Sequence, residues 1–188
     1  MDDVYIHTFR TKDGDLLRLR PLRPEDAHYL VDLFDHMSPE SRFLRFNLAL
    51  TNPDRQMVWS EARRFAQIDP ERDGAWLAFA QLSDDEEVPV GGARYLRIDE
   101  HSAEASLAVR DDMQNKGIGS ELLRYLIGQA RRAGVKKLVA TVQRINRPIF
   151  HLLLKTNLRL EMESEGGYTT ITAFLNGPDN GTHAGSSS

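Results

Sequence analysis

Apolar and polar residues alternate from Val4 to Arg10 and again from Leu16 to Leu22, with Lys12-Asp13-Gly14-Asp15 between the two runs. A period of two joined by a polar turn predicts a strand pair, with Leu17 and Leu19 on one face and Arg18 and Arg20 on the other. Pro24 followed by Glu25-Asp26 marks a helix start, and Leu30, Leu33 and Phe34 give that helix a buried stripe. Ser38-Pro39-Glu40 restarts a helix with Ser38 as N-cap. Asn52-Pro53 repeats the signal before a helix running to about Gln67, and Asp69-Pro70 closes the block.

The texture changes at Gly74. Trp76-Leu77-Ala78-Phe79-Ala80 is a continuous apolar run, as in a strand covered on both faces. Ser83 to Glu87 reads as a polar turn, Val88 to Ile98 as the return strand, and Ala103 to Val109 as a third strand. Gly91-Gly92 inside the second of these predicts a bulge or a close backbone approach. Ile118, Leu122, Leu126 and Ala130, flanked by Leu123 and Ile127, trace the buried face of a long helix that Gly134 ends. Lys137 to Val142 is the next strand, Pro148 to Thr156 a short helix, and Leu158 to Met162 and Tyr168 to Leu175 a closing hairpin about Gly166-Gly167. The order predicts an α/β (α+β) fold in which helices cover both faces of a mostly antiparallel sheet.

At 188 residues the chain fits one domain, expected over 1–175, with a Gly/Ser-rich tail over 176–188. The net charge of −4 points away from nucleic acid, whose binders are ordinarily basic. No apolar run approaches the roughly 20 residues of a membrane span. An acidic start, Met1-Asp2-Asp3, with no apolar stretch behind it points to a cytoplasmic protein. The chain has no cysteine, so thiolate metal sites and a cysteine nucleophile are excluded. Its six histidines are scattered through the chain, so no metal site is expected. A monomer and a homodimer both remain open.

The segment richest in chemistry is Gln114-Asn115-Lys116-Gly117-Ile118-Gly119-Ser120, between a strand and the long helix. Glycines there let the backbone turn sharply and present consecutive N–H groups at a helix N-terminus, which suits a phosphate. A P-loop needs its lysine after the second glycine, and here Lys116 precedes the first. A dinucleotide fingerprint needs a third glycine where Leu122 stands, and a parallel strand order. Two readings remain: the pyrophosphate of a long, flexible cofactor, or a tight turn with no ligand.

The segment resembles the cofactor loop of the GCN5-related N-acetyltransferase (GNAT) family, Gln/Arg-x-x-Gly-x-Gly/Ala, at every fixed position. A family asparagine after the next strand matches Asn146. The stretch Leu19 to Asp26, with Ser38 to Phe46 after it, is similar to the catalytic domain of bacterial Pat-type protein lysine acetyltransferases. The resemblance covers roughly residues 15 to 175. It implies that acetyl-CoA lies between two central strands splayed at a bulge, here Ala103–Val109 and Lys137–Val142. Backbone groups of Leu107, Ala108 and Val109 would then hold the pantetheine and the thioester carbonyl, and Gln114 to Ser120 with Asn146 would hold the rest of the cofactor.

The chemistry implied is transfer to a neutral amine. A lysine amine of pKa near 10.4 is neutral in only about 1 part in 2,500 at pH 7, a deficit of roughly 4.6 kcal/mol, which a general base relieves in part. Glu104, between Ala103 and Ala105, is the candidate base, and the Pat-like pattern carries its glutamate there. Many family members place a tyrosine seven residues after the asparagine. Leu153 stands there instead, so the CoA thiolate is expected to leave directly. Asn157-Leu158 replaces the frequent Gly-Phe, and Asn tolerates the left-handed geometry of a helix end. With no cysteine, direct attack without a thiol-linked acetyl-enzyme follows. Branch resemblance implies a protein lysine as acceptor. A small-molecule amine and a non-catalytic CoA-binding regulatory domain are the alternatives. Arg42, Arg45 and Phe46 are expected to wall the acceptor side with the arginines in water. Arg131-Arg132, Lys136-Lys137 and His151 are expected at the surface, and Trp59 and Trp76 in the core.

Overall fold

The computed structural model describes residues 5–82 and 87–175. Strands β1 (His7–Arg10) and β2 (Leu16–Pro21) precede helices α1 (Ala27–Asp35), α2 (Pro39–Phe46) and α3 (Arg55–Ala66). A meander of β3 (Gly74–Gln81), β4 (Glu87–Arg97) and β5 (Ser102–Val109) follows. Helix α4 (Ile118–Arg132), β6 (Lys137–Gln143), α5 (Arg147–Leu154), β7 (Arg159–Glu165) and β8 (Tyr168–Phe174) complete the chain. The strands form one sheet in the order β1-β2-β3-β4-β5-β6-β8-β7, antiparallel throughout except between β5 and β6. This is the mixed, mostly antiparallel fold that the sequence predicts.

Both faces of the sheet are covered. Trp76, Ala78 and Ala80 of β3 join a core with Ile118, Leu122, Leu126 and Ala130 of α4. The alternate residues Ala75, Leu77 and Phe79 pack towards Tyr29 and Leu30 of α1. A third cluster joins Ala27 and Val31 to Val58 and Ala62 of α3. The continuous apolar run of β3 follows from this double cover.

Several elements differ from the sequence reading. Arg20 is only 1 % exposed, although it alternates with Leu19 as an outward position. It points at the face covered by α1 and forms a two-armed pair with Asp26, at 2.6 and 2.9 Å. In α1 the buried residues are Ala27, Val31 and Leu33, while Leu30 and Phe34 are half-buried. Helix α3 is capped by Asp54, whose Oδ1 accepts from the N–H groups of Gln56 and Met57, rather than by Asn52. Ser38 caps α2 as expected. Trp76 is in the core, but Trp59 is half-buried, with the Arg63 guanidinium over its ring.

The bulge lies beside Gly91: Ala78 opposes Gly91 but Phe79 opposes Pro89, which leaves Val90 extra. A Cβ on Gly91 would stand 2.9 Å from the Ala108 carbonyl oxygen and 3.0 Å from Leu122 Cδ1, so the close approach of β5 and α4 requires glycine. Asn157 has φ 55, the left-handed turn expected of it. Most of the polar turn over 83–87 and the tail over 176–188 lie outside the described residues. Among the described residues no helix is long and apolar enough to cross a membrane.

Candidate active site

Strand β5 pairs with β4 along its whole length, from Ala103 opposite Arg97 to Val109 opposite Gly91. Against β6 it pairs only at Ser102, Ala103 and Glu104, opposite Lys137, Leu138 and Val139. Strand β6 continues to Gln143 with β8 as its partner. The two central strands therefore part after Glu104, as expected. The bulge expected between them is one strand away, on the β3–β4 edge.

The wedge has an ordered set of backbone groups. The Arg110 N–H donates to the Val90 carbonyl and the Ile98 N–H to that of Ser102. By the alternation of an antiparallel ladder, even-numbered residues of β5 bond to β4 and odd-numbered ones face away. Leu107 and Val109 therefore present N–H and C=O to the wedge. Ala108 does not: its backbone faces Gly92 of β4, which corrects the expectation of three consecutive backbone contacts. The side chains of Leu107 and Val109 pack on the core beneath α4.

One end of the wedge meets the glycine loop. Asn115 and Gly117 adopt left-handed backbone, φ 64 and φ 92. The N–H groups of Ser120 and Glu121 both bond to the Gly117 carbonyl, at 3.1 and 3.2 Å. Those of Gly117, Ile118 and Gly119 have no partner among the described residues. They crown the 15-residue helix α4, where the helix dipole favours an anion. A Cβ on Gly119 would stand 3.3 Å from Leu152 Cδ1, so this glycine admits α5.

The β1–β2 turn braces the loop from outside. The Lys12 N–H donates to the Lys116 carbonyl at 3.0 Å, and Lys116 Nζ lies 3.4 Å from Asp13 and 3.7 Å from Asp15. The charge of Lys116 is thus directed to the turn. The Gln114 side chain closes on the Val109 carbonyl at 3.2 Å and on Asp111 at 3.0 Å. Burial works against the charge of Asp111. Hydrogen bonds from Ser38 and Ser41, with the Arg42 charge, outweigh it and hold the carboxyl below its usual range. This carboxylate ties α2 to the loop. Ser120 is exposed at its rim. Asn146 caps α5, its Oδ1 accepting from the Ile149 N–H at 3.2 Å. Its amide nitrogen is left for another acceptor. Leu153, where many family members carry tyrosine, is a buried core residue.

The face of the sheet opposite α4 holds the candidate base. Glu104 is exposed where the wedge begins, and with Ser106 and Ala108 it faces α2. A cavity of about 550 Å3 adjoins it, walled by α1, α2 and α3 and floored by Gly92, Arg94, Ser106 and Ala108. Asn47, at the end of α2, donates to the Thr141 carbonyl of β6 at 3.2 Å, so α2 bridges both splayed strands. Arg45 Nη2 donates to Ser106 Oγ at 3.0 Å. Burial, reinforced by the Arg94 charge and opposed by Glu104, lowers Arg45 to about 10, which leaves it cationic at neutral pH. Burial also lowers Arg94, and Glu104 again opposes the shift.

The expectation that the arginines of this block face water is thereby corrected for both. Arg45 lines the cavity, and Arg42 stacks on Phe34 and donates to the Phe34 carbonyl. Sequence reasoning missed Arg94, although a cation just after Gly91-Gly92-Ala93 was a usable signal. Among the described residues no group of His, Asp and Glu is arranged to hold a metal ion. His151, Arg132, Lys136 and Lys137 are exposed, while Arg131 donates to the Leu175 carbonyl.

Comparison with known proteins gives the same assignment from several directions. The model of the Acetyltransferase (GNAT) family matches residues 44–156. The chain is 29% identical over 136 residues to an acetyltransferase of Pseudomonas aeruginosa, spanning 72% of this chain and 70% of that protein. It is 27% identical over 139 residues to the L-amino acid N-acyltransferase MnaT of Escherichia coli, spanning 72% and 76%. Among solved structures, the GNAT domain of Streptomyces lividans PAT superposes with TM-score 0.76 at 22% identity, over 89% of this chain and 96% of that one. An acetyltransferase from Thermus thermophilus gives TM-score 0.63 at 24% identity, over 90% and 99%. At such identities the structural likenesses establish the fold alone.

Proposed function

Because the chain belongs to the GNAT family of acetyltransferases, and so is an acyltransferase, we propose that it moves the acetyl group of acetyl-CoA directly to a small-molecule primary amine. The observation that carries this reading is the wedge between β5 and β6, with the glycine loop at one end and the cavity floored by Ser106 and Ala108 of β5 beside it. Acetyl-CoA supplies the activated acetyl group. The unpartnered N–H groups of Gly117 to Gly119 suit its pyrophosphate. The Leu107 and Val109 N–H groups point to where the carbonyl oxygen gathers charge, and fixed backbone dipoles stabilise such charge without reorganising. Glu104 takes the proton of the attacking amine, directly or through one water. The absent cysteine leaves direct transfer as the route.

The acceptor side favours a small amine over a protein lysine. A protein lysine arrives on its own chain and calls for an open groove, and an acidic one would draw its cation in. This cavity is walled by three helices and lined by Arg45, Arg64 and Arg94 against Glu61, which is paired with Arg64 at 2.5 Å. The test is release of CoA thiol from acetyl-CoA with small primary amines and with terminally blocked lysine peptides. Small amines are expected to give at least about tenfold higher kcat/KM. Faster transfer to the peptides would restore the lysine reading, and no release with any amine would overturn amine transfer itself.

A further inference from the structure

The arginines of the cavity are under-used by the protein itself. The Arg94 side chain has no hydrogen-bond or ion-pair partner among the described residues, and its guanidinium lies 4.1 Å from the Phe65 ring centre. Arg45 spends one donor on Ser106 and otherwise lies over Phe46 at 5.0 Å. The two groups converge because Arg94 is paired across the sheet with Ser106, the residue that Arg45 bonds. Glu104 acts on both cations, and Asp73 acts on Arg94 as well. Around them the wall is apolar: the Phe46 and Phe65 rings lie 6.3 Å apart, and Leu48 and Met57 expose 61% and 42% of their surface.

Two guanidinium groups with spare donors, side by side in a largely apolar cavity, form a receptor for a planar anion. We propose that Arg45 and Arg94 bind the carboxylate of the acceptor, and that its apolar body packs against Phe46, Phe65 and Met57. The acceptor class is therefore an apolar amino carboxylate, of which an apolar α-amino acid is the simplest case. This deepens the acetyl-transfer reading and rests on it. A guanidinium presents parallel donors that match a carboxylate, and stacking on an aromatic ring holds its plane fixed. The volume of about 550 Å3 lies in the range of small-ligand sites. The same two cations also favour the neutral form of a nearby amine, the form that attacks.

The experiment compares amines matched in their apolar body. CoA thiol release is measured with L-leucine against 3-methylbutylamine, L-phenylalanine against 2-phenylethylamine, and each amino acid against its amide. 2-Aminoethylphosphonate is included as the other common oxyanion. The carboxylates are expected to show at least about tenfold higher kcat/KM, carried mainly by acceptor KM. In Arg94→Met that ratio is expected to fall close to one, and Arg94→Lys to recover part of it. Circular dichroism and KM for acetyl-CoA confirm that the variants are folded. Equal or better use of the carboxylate-free partners, or a preference for the phosphonate, would overturn the proposal and leave amine transfer standing. So would a ratio unchanged in Arg94→Met. No release with any amine would remove amine transfer and this proposal with it.

Discussion

Replacing Glu104 with Gln is expected to lower turnover about 100-fold at neutral pH, within the usual range for a general base, while acetyl-CoA affinity changes less than about twofold. Glutamine keeps the size and a hydrogen-bonding oxygen but cannot accept the proton. The Glu104 side chain is exposed at the last position where β5 pairs with β6, outside the loop and the backbone donors assigned to the cofactor. The defect has a definite pH dependence. The neutral fraction of an amine rises about tenfold for each pH unit below its own pKa, so the need for a base shrinks as pH rises. Parent and variant rates should therefore converge towards pH 10. A competing role is electrostatic balance of Arg45 and Arg94. That role would move acceptor KM more than kcat, and the change would not converge with pH. Equal kcat in both proteins at pH 7 contradicts the base assignment.

Asp26→Asn is expected to cost the fold about 3–5 kcal/mol, the usual penalty for stranding one member of a buried ion pair. For a domain of this size that is a fall in Tm of roughly 6–20 °C. Arg20 and Asp26 expose only 1 % and 2 %. Asp26 Oδ2 also accepts from the Arg23 N–H at 2.8 Å, and the Arg20 guanidinium is sandwiched near Tyr29 and Phe79. Asparagine fills the same space but leaves the arginine charge buried beneath α1. Replacing both partners with apolar residues, Arg20→Met with Asp26→Leu, removes the uncompensated charge and is expected to recover most of the loss. Thermal unfolding of the three proteins decides it. A single variant within about 1 kcal/mol of the parent would show that water reaches the pair.

That ion pair also shows what a period of two does and does not reveal. The alternation correctly separated Leu17 and Leu19 from Arg18 and Arg20. It could not show that the second face is also covered, because α1 arrives from later in the chain. The same limit applies to the site. The glycine loop was legible because its chemistry is local: Gly117 must turn left-handed, and helix α4 starts at once behind it. Glu104 stood out as an acid between alanines. The wedge itself was expected only through family resemblance, since no residue of β5 or β6 announces where a ladder stops. Arg94 was passed over, and Arg45 was placed in water, because their convergence needs β4, β5 and α2 to be brought together. Gly91-Gly92 does signal a bulge, but its irregular register lies on the β3 side of β4, away from the splayed pair.

The most direct test is a crystal structure of the protein with acetyl-CoA. The pyrophosphate is expected on the N–H groups of Gly117, Ile118 and Gly119, and the pantetheine between β5 and β6. The thioester oxygen should lie about 3 Å from the Leu107 or Val109 N–H, with Glu104 and the arginine-lined cavity on the acceptor side. A β5–β6 ladder closed as far as Val109, or a cofactor seated away from the glycine loop, would contradict it.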